Sequence, residues 1–116
     1  MDVLHELCTR NYTKVVCEDE WNYNAPHHFL VKSMKDDKTV SRVDFQEGPI
    51  KECGINGVNN EDLILMVITR LNAFQNSDYK CDENAEAVKH LEDALRALRE
   101  RTNKRAARGV EGTSTV

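Results

Sequence analysis

Four residues carry the most coherent chemistry that residue type and spacing suggest in this chain. Phe74 offers a ring on which a nucleobase can stack. Asn84 offers paired donor and acceptor groups to a base edge or a ribose. Arg101 and Arg105 stand one helical turn apart and can fork onto phosphate oxygens. A Gly-rich tail with Arg108, Gly109, Gly112 and Thr113 follows, and its backbone amides can also meet phosphate. Together these groups form a kit for recognising an anionic nucleotide, not for making or breaking bonds.

The apparatus of catalysis is missing. No Walker loop, dinucleotide glycine fingerprint, HExxH helix or GxSxG elbow occurs. His90 lies alone on a helix between Lys89 and Leu91, without the partner a catalytic histidine needs. Glu92 and Asp93 occupy neighbouring helical positions and do not converge. His27 and His28 are adjacent, so in a strand they face opposite ways, which is poor geometry for a metal. Cys8, Cys17, Cys53 and Cys81 fit no zinc spacing and read as reduced thiols in a cytosolic protein. The expectation is therefore no catalytic residue, no metal and no cofactor.

The helix that must carry most of the kit runs from about Asp82 to Arg108. Val88, Leu91, Leu95 and Leu98 recur in steps of three, four and three and make one apolar stripe. Continued forward, the stripe reaches Arg101 or Thr102, then Arg105 and Arg108; continued backward, it reaches Asn84. A core stripe that ends in guanidinium groups implies an anion or a second chain to meet them. The plainer reading is a solvated basic end that favours the negative pole of the helix dipole. Asn84 and Arg105 are 21 residues apart, or about 31 Å of helix. One small nucleotide cannot touch both within one chain. If the four residues serve one site, the arginines must come from an antiparallel second copy, as a two-fold dimer would supply.

An earlier helix, from Asn59 or Asn60 to about Gln75, contains Leu63-Ile64-Leu65-Met66-Val67-Ile68, apolar on every side. Such a helix is buried from several directions, including by a second subunit. The short link Asn76 to Cys81 makes the two helices an antiparallel hairpin, with Asp82 expected as the second N-cap. It also brings Phe74 and Asn84 to the same end. Upstream, Tyr12 to Cys17, His27 to Met34 and Thr39 to Phe45 read as strands, the last two joined by the turn Lys35-Asp36-Asp37-Lys38. Met1 to Thr9 fits a short strand or a helical turn. Asn56-Gly57 suggests a tight turn with positive φ. The fold class that follows is α+β: a small N-terminal antiparallel β-sheet, sandwich-like, packed on a C-terminal two-helix hairpin. A single domain over 1–116 is expected, β-rich over 1–50 and helical with a tail over 51–113.

With 116 residues, 31% of them charged, and a net charge of −4, the chain lacks the broad basic surface of a duplex-DNA binder. Its bases gather after Arg96, which suits a small anionic ligand. No apolar run is long enough to span a membrane.

Several stretches, in order and at this spacing, are similar to one known family. They are Phe45-Gln46-Glu47-Gly48-Pro49-Ile50, Gly54-Ile55-Asn56-Gly57-Val58, Arg70-Leu71-Asn72-Ala73-Phe74-Gln75, Asp82-Glu83-Asn84-Ala85, and the run from Arg105 to Thr113. From Phe45 to Thr113 the chain resembles the helical-hairpin domain of phage Thoeris anti-defence protein one, a hairpin also found in the phage anti-CBASS sponge. The resemblance implies a protein in the cytoplasm of an infected bacterium that sequesters an immune signal without cleaving it. That signal is a cyclic ADP-ribose isomer such as glyco-cyclic ADP-ribose. It also implies a homo-oligomer, a dimer or a hexamer of three dimers, with neither membrane nor nucleic-acid polymer as partner. By resemblance, Phe74 and Asn84 contact the ligand and Arg101 and Arg105 grip its pyrophosphate. Arg108, Gly109, Gly112 and Thr113 would form a second site for cyclic di- or trinucleotides. The alternatives are an enzyme degrading the same signal, a small nucleic-acid-binding regulator, and a structural coiled-coil module without ligand.

Overall fold

The computed structural model describes all residues from Met1 to Val116. It divides into two compact units, Met1–Val58 and Asn59–Val116. The elements are an N-terminal four-stranded antiparallel sheet and a C-terminal pair of long helices, an α+β composition.

The first unit is one sheet with strand order β1-β2-β3-β4. Its strands are β1 (Asp2–Val3), β2 (Thr13–Cys17), β3 (His28–Ser33) and β4 (Thr39–Asp44). Alternation sorts its faces. Val15, Cys17, Phe29, Val31 and Val43 share one, where Cys17 is buried and Phe29 meets Phe45 edge to face at 5.5 Å. The other face mixes Val16 and Leu30 with Lys14, Lys32 and Arg42. The β3–β4 turn reverses through Asp37 in the left-handed region, at φ 60°. The Asp36 carboxylate accepts the Lys38 N–H at 3.1 Å there. A register shift after Val31 leaves Val40 unpaired and exposed on the edge strand β4. Such a bulge blunts an edge that would otherwise invite further pairing.

The sheet unit runs on to Val58 because Phe45 and Val58 form a parallel bridge, with the Gln46 N–H on the Val58 carbonyl and the Val58 N–H on that of Asp44. A single helical turn, α1 (Ile50–Cys53), fills the intervening excursion. The sequence offered no periodicity for so short a turn. Gly57 corrects one expectation. It is not among the positive-φ residues; a Cβ there would stand 2.4 Å from the backbone carbonyl of Phe45, so close approach, not turn handedness, requires the glycine.

The second unit holds α2 (Asn60–Gln75) and α3 (Asp82–Ala107). Asn59 caps α2, and its N–H donates to the Asp62 carboxylate at 2.8 Å. Cys81, not Asp82, is the N-cap of α3. Its backbone is claimed from behind: the Gln75 side chain accepts the Cys81 N–H at 3.0 Å and donates to the Cys81 carbonyl at 2.9 Å. That pair of bonds leaves Asp82 to begin the helix. Ile68 is buried, and Ile64, Leu71, Val88, Leu91, Leu95 and Leu98 are half-buried, as a helix pair with one shared seam requires. The rest of α2 is not covered: Leu65, Met66 and Val67 remain 57%, 59% and 46% exposed.

Candidate functional site

The candidate residues all belong to the second unit, at opposite ends of α3. Phe74 sits in the last turn of α2, half-buried, and its backbone is pinned. The Ser77 hydroxyl and N–H both donate to the Phe74 carbonyl, at 2.6 and 3.0 Å. Above its ring lies the guanidinium of Arg70, 5.1 Å from the centroid. In the sequence Arg70 stands out only as part of a motif, and its spacing of four residues before Phe74 on a helix is the signal that pairs them. Asn84 lies in the first turn of α3, half-buried, at the same end of the hairpin as Phe74. Its carboxamide makes no hydrogen bond within the chain.

The far end of α3 carries the arginines. Arg101 is exposed and unpaired. Arg105 continues the apolar stripe and is half-buried. Its Nη2 donates to the backbone carbonyls of Val110 at 3.1 Å, Thr113 at 3.1 Å and Thr115 at 2.8 Å. Arg108 donates to the Val116 backbone oxygen at 2.7 Å. The plain expectation of a frayed, solvated end is thus replaced by a folded one. The helix stops in a Schellman turn. Gly109, at φ 72°, donates its N–H to the Ala106 carbonyl at 3.0 Å, and the Val110 N–H reaches the Arg105 carbonyl at 3.0 Å. The tail amides are partly spent in this way. Those of Gly109, Val110 and Thr113 all donate within the chain, and the Thr113 hydroxyl donates to Val110 at 2.6 Å.

Within one chain, then, Phe74 and Asn84 share one end of the hairpin and Arg101 and Arg105 stand at the other end of α3. Asn84 and Arg105 belong to one uninterrupted helix and stand about 31 Å apart along it.

A separate polar cluster lies in the first unit. His28 places Nδ1 2.8 Å from an Asp44 carboxylate oxygen and Nε2 2.6 Å from one of Glu47. Both ring nitrogens can donate to the two carboxylates at once only when the ring is protonated, so the pair of contacts favours the imidazolium. Its pKa is held above the ordinary value, chiefly by the bond to Asp44 and then by that to Glu47. Asp44 is correspondingly lowered, first by His28 and then, against some desolvation, by Arg42. Glu18 is lowered too: burial opposes ionisation, but the N–H groups of His28 and His27 outweigh it. His27 points the other way, buried, with Nε2 2.8 Å from the Asn22 carbonyl. A groove of about 320 Å³ beside this cluster is lined by Val16, Glu18, His28, Leu30 and Arg42, among others. None of the four candidate residues lines it. Sequence spacing alone could not have assembled these acids, because Asp44 reaches His28 through the strand register and Glu47 through the path of the chain beyond β4.

Two comparisons bear on the helical unit and on the whole chain. The family model for the Acb2/Tad1 hairpin domain matches residues 37–102. Over 97% of its length the chain is 44% identical to Thoeris anti-defense 1 of Bacillus phage SBSphiJ7, of which 96% is covered.

Proposed function

Because the chain belongs to the Thoeris anti-defense 1 family and carries its Acb2/Tad1 hairpin domain, we propose that it is a non-enzymatic sponge for a cyclic ADP-ribose isomer such as glyco-cyclic ADP-ribose. It binds the signal intact in the cytoplasm of the infected host, and so keeps it from the Thoeris effector. The observation that carries this reading is the division of α3. A base-stacking ring and an unpaired carboxamide stand at one end, and cationic forks stand at the other. Two antiparallel copies of such a helix bring the two ends together twice, giving two equal sites per dimer.

The exposed area supports association. The chain exposes 8980 Å². A compact monomer of 13.3 kDa exposes about 6500 Å², and even two separate compact bodies of half that mass expose about 7800 Å². The remaining excess of about 1200 Å² is larger than the roughly 800 Å² that each partner buries in a standard interface. Leu65, Met66 and Val67 on α2 supply apolar surface for that contact. A dimer is the minimum assembly, and a hexamer of three dimers is its extension.

In this proposal Phe74 stacks on the base, Asn84 reads the base edge or ribose, and Arg101 and Arg105 of the second copy hold the pyrophosphate. A second site at Arg108, Gly109, Gly112 and Thr113, for cyclic di- or trinucleotides of CBASS immunity, requires the tail to open. The amides of Gly109 and Thr113 and the Thr113 hydroxyl are otherwise committed.

The decisive experiment loads the protein with glyco-cyclic ADP-ribose, removes free ligand, denatures the complex by heat and identifies what is released. Intact ligand is expected at close to the bound amount. A linear product would overturn the sponge in favour of an enzyme.

A further inference from the structure

The C-terminal tail occupies the edge of Arg105 on which an anion would dock. Three backbone carbonyls, those of Val110, Thr113 and Thr115, converge on the single nitrogen Nη2 at 2.8 to 3.1 Å. That nitrogen has two protons, so at least one of them is shared. A guanidinium offers a phosphate two forked edges, Nε with Nη2 and Nη1 with Nη2. Both edges contain Nη2, while Nε and Nη1 form no edge with each other. A phosphate can therefore fork onto Arg105 only by displacing tail carbonyls. Several bonds hold the tail in place. The Thr113 hydroxyl donates to the Val110 carbonyl at 2.6 Å and accepts the Thr115 N–H at 3.4 Å, Arg108 holds Val116 at 2.7 Å, and Gly112 turns the chain at φ 74°.

We infer that residues 110–116 are a displaceable strap, which parks Arg105 on neutral carbonyls until a phosphate-bearing ligand takes the same edge and releases the tail. The exchange runs toward the ligand because on the carbonyls only the donor is ionised, whereas a phosphate adds its own negative charge and a two-point fork. In the absence of ligand the strap spares Arg105 from a half-buried position without acceptors. The inference rests on the reading of Arg105 as a phosphate contact. It makes two demands. Opening the strap subtracts from ligand affinity, and the tail is freer in the complex than in the unliganded protein.

Thr113→Ala and Gly112→Ala each loosen the strap without altering Arg105, and without the new carboxylate that truncation would place beside it. The full chain, the two variants and Arg105→Ala are titrated with glyco-cyclic ADP-ribose by calorimetry. Amide hydrogen exchange at Thr113 and Thr115 is followed in the full chain with and without that probe. Binding at least threefold tighter in either loosened variant, together with faster exchange of the tail amides in the complex, is expected. No tightening in either variant, or tail exchange that is unchanged or slower, overturns the strap; if Arg105→Ala has meanwhile lost binding, the phosphate role of Arg105 stands alone. If the full chain does not bind the probe, or Arg105→Ala binds it equally well, that role fails and the strap falls with it.

Discussion

The guanidinium of Arg70 lies over the ring of Phe74, 5.1 Å from its centroid and one turn back on α2. One face of the ring is thereby occupied, so a base stacking on Phe74 would use the other or displace the guanidinium. Phe74→Ala should weaken glyco-cyclic ADP-ribose binding by the worth of a base–aromatic stack, roughly 1–3 kcal/mol, while Phe74→Tyr keeps most of it. Arg70→Ala should lose only the cation–π support, about 0.5–1 kcal/mol. Calorimetric titration of the three variants checks the order. An Arg70 variant hit harder than Phe74→Ala would make the arginine the direct contact.

The separation along α3 predicts complementation. Asn84→Ala and Arg105→Ala should each abolish binding. Equal amounts mixed under subunit exchange then form about half heterodimers, each with one doubly defective and one intact site. Recovery of about a quarter of the wild-type sites is expected by calorimetry. No recovery after exchange has been verified would show that the two residues do not share a site across chains.

Met66 stands 59% exposed between Leu65 and Val67 on the uncovered face of α2. Met66→Glu should leave α2 helical and convert the assembly to monomer, because an apolar contact seldom tolerates an unpaired carboxylate. Sedimentation velocity and circular dichroism read the two outcomes, and ligand binding should vanish with the dimer. An unchanged sedimentation coefficient would place the interface elsewhere.

The His28 cluster gives a pH dependence with opposite signs on its two sides. His28 has a raised pKa in the folded chain, so its contribution is complete below the ordinary value of 6.5 and is lost as pH rises through the raised one. Asp44 and Glu18 have lowered pKa values, so theirs is complete above the ordinary carboxylate range and is lost as pH falls through the lowered ones. Thermal denaturation should therefore show a plateau between the two limbs. His28→Gln should lower the plateau and remove the decline on the alkaline limb above pH 6.5. Retention of that decline in the variant would assign it to another group.

Gly57 has backbone atoms of Phe45 and Asp44 where a Cβ would go, the nearest at 2.4 Å. Neither carbonyl can move without breaking the bridge from Phe45 to Val58. Gly57→Ala should cost about 1–3 kcal/mol in denaturant unfolding, as overpacking does. Gly54→Ala, with nothing nearby but a φ of 73°, should cost only the local backbone strain.

What could be read from residues alone follows periodicity. The two long helices, the hairpin between them and three of the strands were visible, because each carries several repeats of its own period. Phe74 and Asn84 could be placed at one end, and the arginines at the other, from helix geometry alone. The single turn of α1 and the two residues of β1 are not legible in the sequence, since neither spans two repeats of its period. The folding back of Arg105 and Arg108 onto the tail was also hidden. It depends on a Schellman turn whose glycine was visible, but whose carbonyl acceptors lie in a stretch without pattern. Cys81 took the cap from Asp82 because Gln75, six residues earlier, reaches its backbone. Propensity at the cap position carries no record of such a partner.

If the two ends of the uninterrupted, 26-residue α3 serve one site across two chains, as proposed, binding capacity depends on chain encounter. A receptor whose pocket lies within one polypeptide gains capacity in proportion to its copy number. A receptor whose pocket needs two chains gains it as the square of copy number while dimers are scarce, and linearly only after they saturate. Early in an infection, halving translation would then cut captured signal about fourfold. Selection on such a protein would act on promoter strength and dimer affinity as sharply as on the contacts to the ligand.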